Sequence, residues 1–204
     1  MTAAVHVREI REDEYDQVGE LLLAAYDDVG PFSEDYRQFL RHPEEWVDDT
    51  TATYVAELDG EVVGCVAFVL PGDREYEHID PPVGDCGFRF LAVAPHAQGS
   101  GAGAALVERC ITEARRRVCR RMMIHSMYFM RSAHALYERF GFDRRPDLDV
   151  TFPSGTGIAF ALDLTDDAHL HFPPPGPVPA QPPWFEELWV DPDDAIERGL
   201  ATPC

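Results

Sequence analysis

Apolar and polar positions change period repeatedly along this chain, and each change marks an element. Residues alternate from Val5 to Ile10, which predicts a strand. From Asp13 to Asp28, Tyr15, Val18, Leu22, Ala25 and Tyr26 recur at helical intervals. Pro31 to Trp46 reads as a second helical region with Tyr36, Phe39 and Leu40 inward. Thr53–Leu58 and Val62–Leu70 are apolar strands joined by Asp59-Gly60, a strong signal for a two-residue hairpin turn. Pro71 to Gly87 reads as a loop rich in Pro, Gly and acid, and Phe88–Ala94 as the next strand. A glycine-rich turn then opens a helix over Ala104–Val118, whose buried stripe is Leu106, Val107, Cys110, Ile111, Ala114 and Val118. A strand at Met122–Tyr128, a helix at Ser132–Phe140 and a strand at Ile158–Leu164 complete the pattern. The order predicts an α+β domain on a mixed, twisted sheet flanked by helices.

The glycine-rich turn is the segment most able to carry chemistry. It reads Gln98-Gly99-Ser100-Gly101-Ala102-Gly103 and lies between a strand and a helix N-terminus. The first N–H groups of a helix lack intrahelical partners, and the helix dipole adds partial positive charge there. Glycines let the backbone approach a ligand without Cβ clashes, so this is a ready phosphate site. It is not a P-loop, because the chain contains no lysine. Nor does Gly99-Ser100-Gly101-Ala102-Gly103-Ala104 keep the register of a dinucleotide fingerprint, and the next strand ends without a carboxylate.

Gln98-x-x-Gly101-x-Gly103 resembles the acyl-CoA pyrophosphate loop of the GNAT superfamily of N-acyltransferases. Thirty residues after Gly103, Ala133-His134-Ala135-Leu136-Tyr137-Glu138-Arg139-Phe140-Gly141-Phe142 is similar to that superfamily's A-x-x-L-Y-x-x-x-G-F signature. Locally, Ala133, Leu136, Tyr137 and Phe140 form one helix stripe, and Gly141 suits a left-handed cap. The resemblance covers roughly residues 5 to 164 and implies a GNAT-like fold.

The resemblance also implies roles. Acetyl-CoA would be the acyl donor, and a primary amine on a small molecule or peptide the acceptor. Pantetheine would run along Leu91, Ala92 and Val93, where one N–H polarises the thioester carbonyl. The backbone of Gly99, Ser100, Gly101, Ala102, Gly103 and Ala104 would hold the pyrophosphate, with Gln98 at the first motif position. Tyr137 stands at the general-acid position and would protonate the leaving thiolate. Many relatives carry Asn seven residues before that Tyr; here the position is Met130, with Arg131 and Ser132 as nearby substitutes. Relatives that acetylate protein N-termini carry a carboxylate five residues earlier still, and here the residue is His125, whose neutral imidazole can accept a proton. The bland reading of His125 is a satisfied strand histidine. Glu75, Glu77, His78, Asp80 and Asp85 are rival bases, as is water. His134, His169 and His171 show no metal-binding pattern, and no metal is expected.

Composition narrows the partners. All 17 basic residues are arginine, against 37 acidic ones, for a formal charge of −20. Nucleic acid is thereby disfavoured as a partner, since its binders need a positive footprint. The cluster Arg115, Arg116, Arg117, Arg120 and Arg121 suits a helix C-terminus, with Glu113 able to pair with Arg117. Asp73, Glu75, Glu77, Asp80 and Asp85 would favour a cationic acceptor. The five cysteines are irregularly spaced, which predicts free thiols in a reducing cytoplasm and none placed as an acyl carrier. Direct attack in a ternary complex is therefore the expected route. No apolar run is long enough to predict a membrane span. The domain is expected over 1–164 and a Pro-rich extension over 165–204, with seven prolines between Phe172 and Pro183. That arm either packs on its own domain, or frames the substrate mouth, or reaches a second subunit in a homodimer. Two other function classes fit: a non-catalytic acyl-CoA sensor or scaffold, and an interaction protein working through the arm.

Overall fold

The computed structural model describes residues 4–30, 32–47, 52–72, 84–152 and 155–165. Among them one sheet holds β1 (His6–Glu9), β2 (Ala52–Leu58), β3 (Glu61–Val69), β4 (Asp85–Val93), β5 (Arg121–Met127), β6 (Asp143–Arg144), β7 (Val150–Phe152) and β8 (Gly155–Asp163). The helices are α1 (Tyr15–Asp27), α2 (Glu34–Arg41), α3 (Ala102–Arg116) and α4 (Arg131–Arg139). The strand order is β1-β2-β3-β4-β5-β8-β6, with β7 also on β8. Neighbours are antiparallel except β4 and β5. These two run parallel because α3 crosses over between them, as parallel pairs require.

Ladder register assigns the two faces, since alternate residues of a strand point the same way. Tyr54 opposes Val66 and Gly64 opposes Val93, so these four share a face. Helix α3 covers it: a Cβ on Gly64 would meet Leu106 at 3.1 Å, and the Arg109 guanidinium sits 4.5 Å from the Tyr54 ring centre. Helix α4 lies beside α3, because a Cβ on Gly103 would meet Leu136 at 3.5 Å. The opposite face carries Val55 and Cys65 and packs under α1, whose Tyr26 is buried beside Cys65. The core is continuous through the sheet, with Leu22, Leu40, Phe68, Leu106, Ile111, Met122 and Phe160 fully buried.

The expected order of elements is present, with several local corrections. The hairpin turn at Asp59-Gly60 has φ +52° and +86°, the left-handed pair such a turn needs. The second helical region is split: α2 stops at Arg41, and Pro43 opens a separate 3-10 turn through Glu45. Strand β4 begins at Asp85, so part of the expected loop is strand. Two short strands, β6 and β7, were not expected, and β8 starts at Gly155 rather than Ile158. Val118 is not in the buried stripe of α3. The helix ends at Arg116, and Val118 is 83% exposed with φ +59°, in the left-handed position that closes a helix. Asp73, Glu75, Glu77, His78, Asp80, His169, His171 and the arm beyond Thr165 lie outside the described residues.

Candidate active site

The site starts from a defect in β4. Between the pairs Cys65–Ala92 and Ala67–Arg89, β3 advances two residues and β4 three. The extra residue is a β-bulge, and Phe90 adopts φ +55° to make it. Arg89 and Phe90 consequently project to the α1/α2 face together, the guanidinium 5.1 Å from the ring centre. Leu91 and Val93 fall on the α3/α4 face and are half-buried.

On its other edge β4 pairs with β5 only over Asp85–Gly87 against Arg121–Met123. Beyond Met123, β5 pairs with β8 alone among the described residues. Past these pairs the two strands are unpaired, which leaves a gap on the side of Leu91, Ala92 and Val93. Its closed end is tied by Arg121, 2.5 Å from Asp85. Asp85 is buried in that ion pair at the start of β4, which removes it from the rival bases.

The glycine loop sits at the open end. A 3-10 turn over Pro95–Ala97 carries the chain off β4, and the Ser100 N–H donates to the Ala97 carbonyl. Gly99 and Gly101 have φ +81° and +93°, conformations that a side chain would strain. A Cβ at either would meet nothing within 4 Å, so the loop faces open space. At the first turn of α3 the Ala102 N–H is taken by the Ser100 hydroxyl, while Ala105 bonds back to Gly101. The N–H groups of Gly103 and Ala104 are the next donors in line at this helix end. Gly103 differs: a Cβ there would make ordinary contact with Val93 and Leu136, each at 3.5 Å, so this position lies against packed side chains rather than open space. The Gln98 amide reaches Asp28 at the end of α1, at 3.4 Å.

Tyr137 and His125 stand on opposite faces of the sheet. Met122, Ile124 and Ser126 oppose Leu162, Phe160 and Ile158 on the α3/α4 face. Tyr137 packs there, 5.7 Å from Phe88 and 5.6 Å from Phe160, with Ser126 in hydrogen-bonding reach. Its burial pushes the phenol above its ordinary range, so it holds its proton at neutral pH. His125 alternates to the other face, where Arg89 also points. Its Nε2 lies 2.8 Å from the Leu148 carbonyl. A carbonyl only accepts, so Nε2 carries the proton and Nδ1 keeps its lone pair. Burial lowers its pKa below 6.5, ahead of the opposing hydrogen bond. The sheet thus carries a neutral, oriented imidazole on one face and a protonated phenol on the other.

Met130 lies at the start of α4, where its sulfur accepts from the Ser126 hydroxyl at 3.5 Å. His134 is buried with Nε2 3.1 Å from the Met127 carbonyl, and burial depresses its pKa to about 4. Among the described residues no cluster suits a metal ion. Cys65, Cys86, Cys110 and Cys119 are free thiols, and burial pushes Cys65 up to about 12 and raises the others too. Glu113 takes both Arg116 and Arg117, at 2.7 and 2.6 Å, which accounts for part of the arginine cluster. Sequence reasoning missed the bulge at Phe90 and the role of Ser126 beside Tyr137. A signal for the bulge was present: Phe88 and Phe90 share one parity in β4, and Leu91 and Val93 the other.

Comparison with known proteins agrees with this fold. The family model described as acetyltransferase (GNAT) family matches residues 9–142. No curated protein matches the sequence. Among solved structures, a GNAT-family acetyltransferase from Staphylococcus aureus Mu50 superposes with TM-score 0.62 at 13% identity, covering 79% of this chain and all of its own. The ribosomal-protein-S18-alanine N-acetyltransferase of Escherichia coli gives 0.60 at 17% identity, over 83% of this chain and 100% of that one. A GNAT-family acetyltransferase from Brucella melitensis, solved in complex with acetyl-CoA, gives 0.52 at 22% identity, over 81% and 91%. With residues 9–142 of its 204 inside the family model, this chain belongs to the GNAT family of acetyltransferases.

Proposed function

We propose that the protein transfers the acetyl group of acetyl-CoA to a primary amine by direct attack in a ternary complex. The observation that carries this is the gap between β4 and β5, with His125 on one face and Tyr137 on the other. Acetyl-CoA supplies an activated thioester carbonyl. Gly99 to Ala104 and Gln98 offer an open loop and a helix N-terminus for its pyrophosphate. Leu91, Ala92 and Val93 line the open edge along which an extended pantetheine would lie. A backbone N–H of this edge polarises the carbonyl. An amine arriving on the α1/α2 face gives its proton to Nδ1 of His125, and the phenol of Tyr137 donates to the leaving thiolate on the other side. Holding both reactants across the gap supplies the proximity that such a reaction needs. The raised thiol pKa values favour direct attack over a cysteine carrier, because a thiolate is the nucleophilic form. Free thiols also fit a reducing, cytoplasmic setting.

Replacing Tyr137 tests the assignment. Tyr137→Phe keeps the ring packing and removes the proton. Turnover is expected to fall about 10²–10⁴-fold, the usual range for a lost general acid. Acetyl-CoA affinity, read by calorimetry, stays near wild type. Unchanged turnover across pH makes Tyr137 a packing residue.

A further inference from the structure

A buried hydroxyl stands between β5 and α4. Ser126 is 5% exposed, pairs with Ile158 of β8 and faces the side of the sheet that α3 and α4 cover. A buried hydroxyl needs partners, and two are at hand on α4 and its N-cap. Its Oγ lies 3.5 Å from the Met130 sulfur, and the Tyr137 phenol is in hydrogen-bonding reach. Rings surround that phenol otherwise: Phe88 at 5.7 Å, Phe160 at 5.6 Å and Phe142 at 5.9 Å, centre to centre. Their edges and faces donate no strong hydrogen bond to an oxygen.

A serine hydroxyl carries one proton and two acceptor lone pairs, and its O–H rotates to suit. With the proton directed at the Met130 sulfur, Oγ can accept from the phenol O–H. A thioether is a weak acceptor, so the sulfur holds that proton loosely. Rotation then lets Ser126 donate to the phenol oxygen. An amide oxygen at position 130 would hold the serine proton more firmly than methionine does.

The geometry points to Ser126 as a positioning residue for proton transfer: it holds the Tyr137 hydroxyl before the step and donates to its oxygen after it. This rests on the acetyl-transfer reading above. In the step the phenol O–H bond breaks, its proton forms an S–H bond with the departing CoA thiolate, and the electron pair stays on the phenol oxygen. Ser126 keeps its own proton and turns it from the Met130 sulfur to that oxygen. Water returns a proton to the phenolate as products leave. A phenolate among rings is costly unless a donor meets it, so this hydrogen bond lowers the barrier as charge develops.

The test joins a spectrum to kinetics. In protein isotope-labelled at tyrosine Cζ, Tyr137→Phe assigns the Tyr137 resonance by NMR. Ser126→Ala is expected to shift that resonance, and Ser126→Thr to return it toward wild type. Thiol release is followed with acetyl-CoA and either spermidine or alanine amide as the primary amine. Ser126→Ala is expected to lower kcat about 10- to 100-fold, the size of one hydrogen bond to a charged oxygen. The KM for acetyl-CoA stays at wild type, and Ser126→Thr recovers most of the rate. Calorimetric acetyl-CoA affinity at the wild-type value reports that each variant is folded. In the Tyr137→Phe background Ser126→Ala costs nothing further, because the two act as a unit. An unmoved Cζ resonance overturns the proposal. So does an equal loss of rate with and without the Tyr137 hydroxyl, which is what a packing role gives. A resonance that responds to Ser126→Ala in a protein that releases no thiol with either amine places the failure in the transfer reading, not in the contact.

Discussion

At His125 one hydrogen bond fixes the tautomer on which the proposed role as base depends. The Leu148 carbonyl holds Nε2–H, so the proton-accepting nitrogen is Nδ1. Burial then lowers the pKa, leaving the imidazole neutral at pH 7. A base works unprotonated, so activity is lost as pH falls through that lowered value. The kcat/KM profile should therefore show an acidic limb with a midpoint below 6.5, and His125→Ala should lack it. The same limb in the variant assigns the base to water or another group. Tyr137 has the opposite sign: its phenol is pushed up, so its proton is lost only in alkali. Neither pairing partner was readable beforehand. Leu148 sits in a 3-10 turn brought beside β5 by β8, and a backbone carbonyl leaves no mark in a sequence. Asp85 is the reverse case: it read as one acid among several in a loop, and its ladder partner Arg121 shows it to be structural.

At the scale of elements, the loop and α4 were legible because glycine and apolar spacing write them directly. Gly99 and Gly101 have the positive φ that glycine suggests, and Gly141 follows α4 with φ +82°. Two other left-handed residues were not expected, since Phe90 and Val118 carry side chains that normally avoid that region. The bulge at Phe90 is what turns β4 at the gap, so the most consequential backbone feature was also the least expected. The two glycine positions of the motif also separate physically. Gly101 faces open space, whereas Gly103 lies against Val93 and Leu136. Gly101→Glu is expected to abolish CoA binding in calorimetry, because it adds a negative charge at the phosphate site and strains a residue at φ +93°. Circular dichroism should show the domain still folded. A folded Gly101→Glu protein with wild-type CoA affinity removes the pyrophosphate from this loop.

At the scale of the whole molecule, the formal charge of −20 opposes the anionic acetyl-CoA of the proposed reaction. Long-range attraction cannot assemble the complex, so local donors at the α3 N-terminus and the open edge of β4 must do so. In the proposed transfer those donors stand at one side of the gap and the amine arrives on the other, so each substrate would have its own face. No helix among the described residues is long and apolar enough to cross a membrane. The proposed transfer makes a kinetic demand: both substrates are bound before chemistry, with no acetyl-enzyme between. The most direct measurement is initial-rate kinetics of thiol release with acetyl-CoA and a primary amine varied together. Intersecting double-reciprocal lines, with release that depends on the amine, are the predicted result. Parallel lines, or thiol released at the same rate without amine, would contradict direct transfer across the gap.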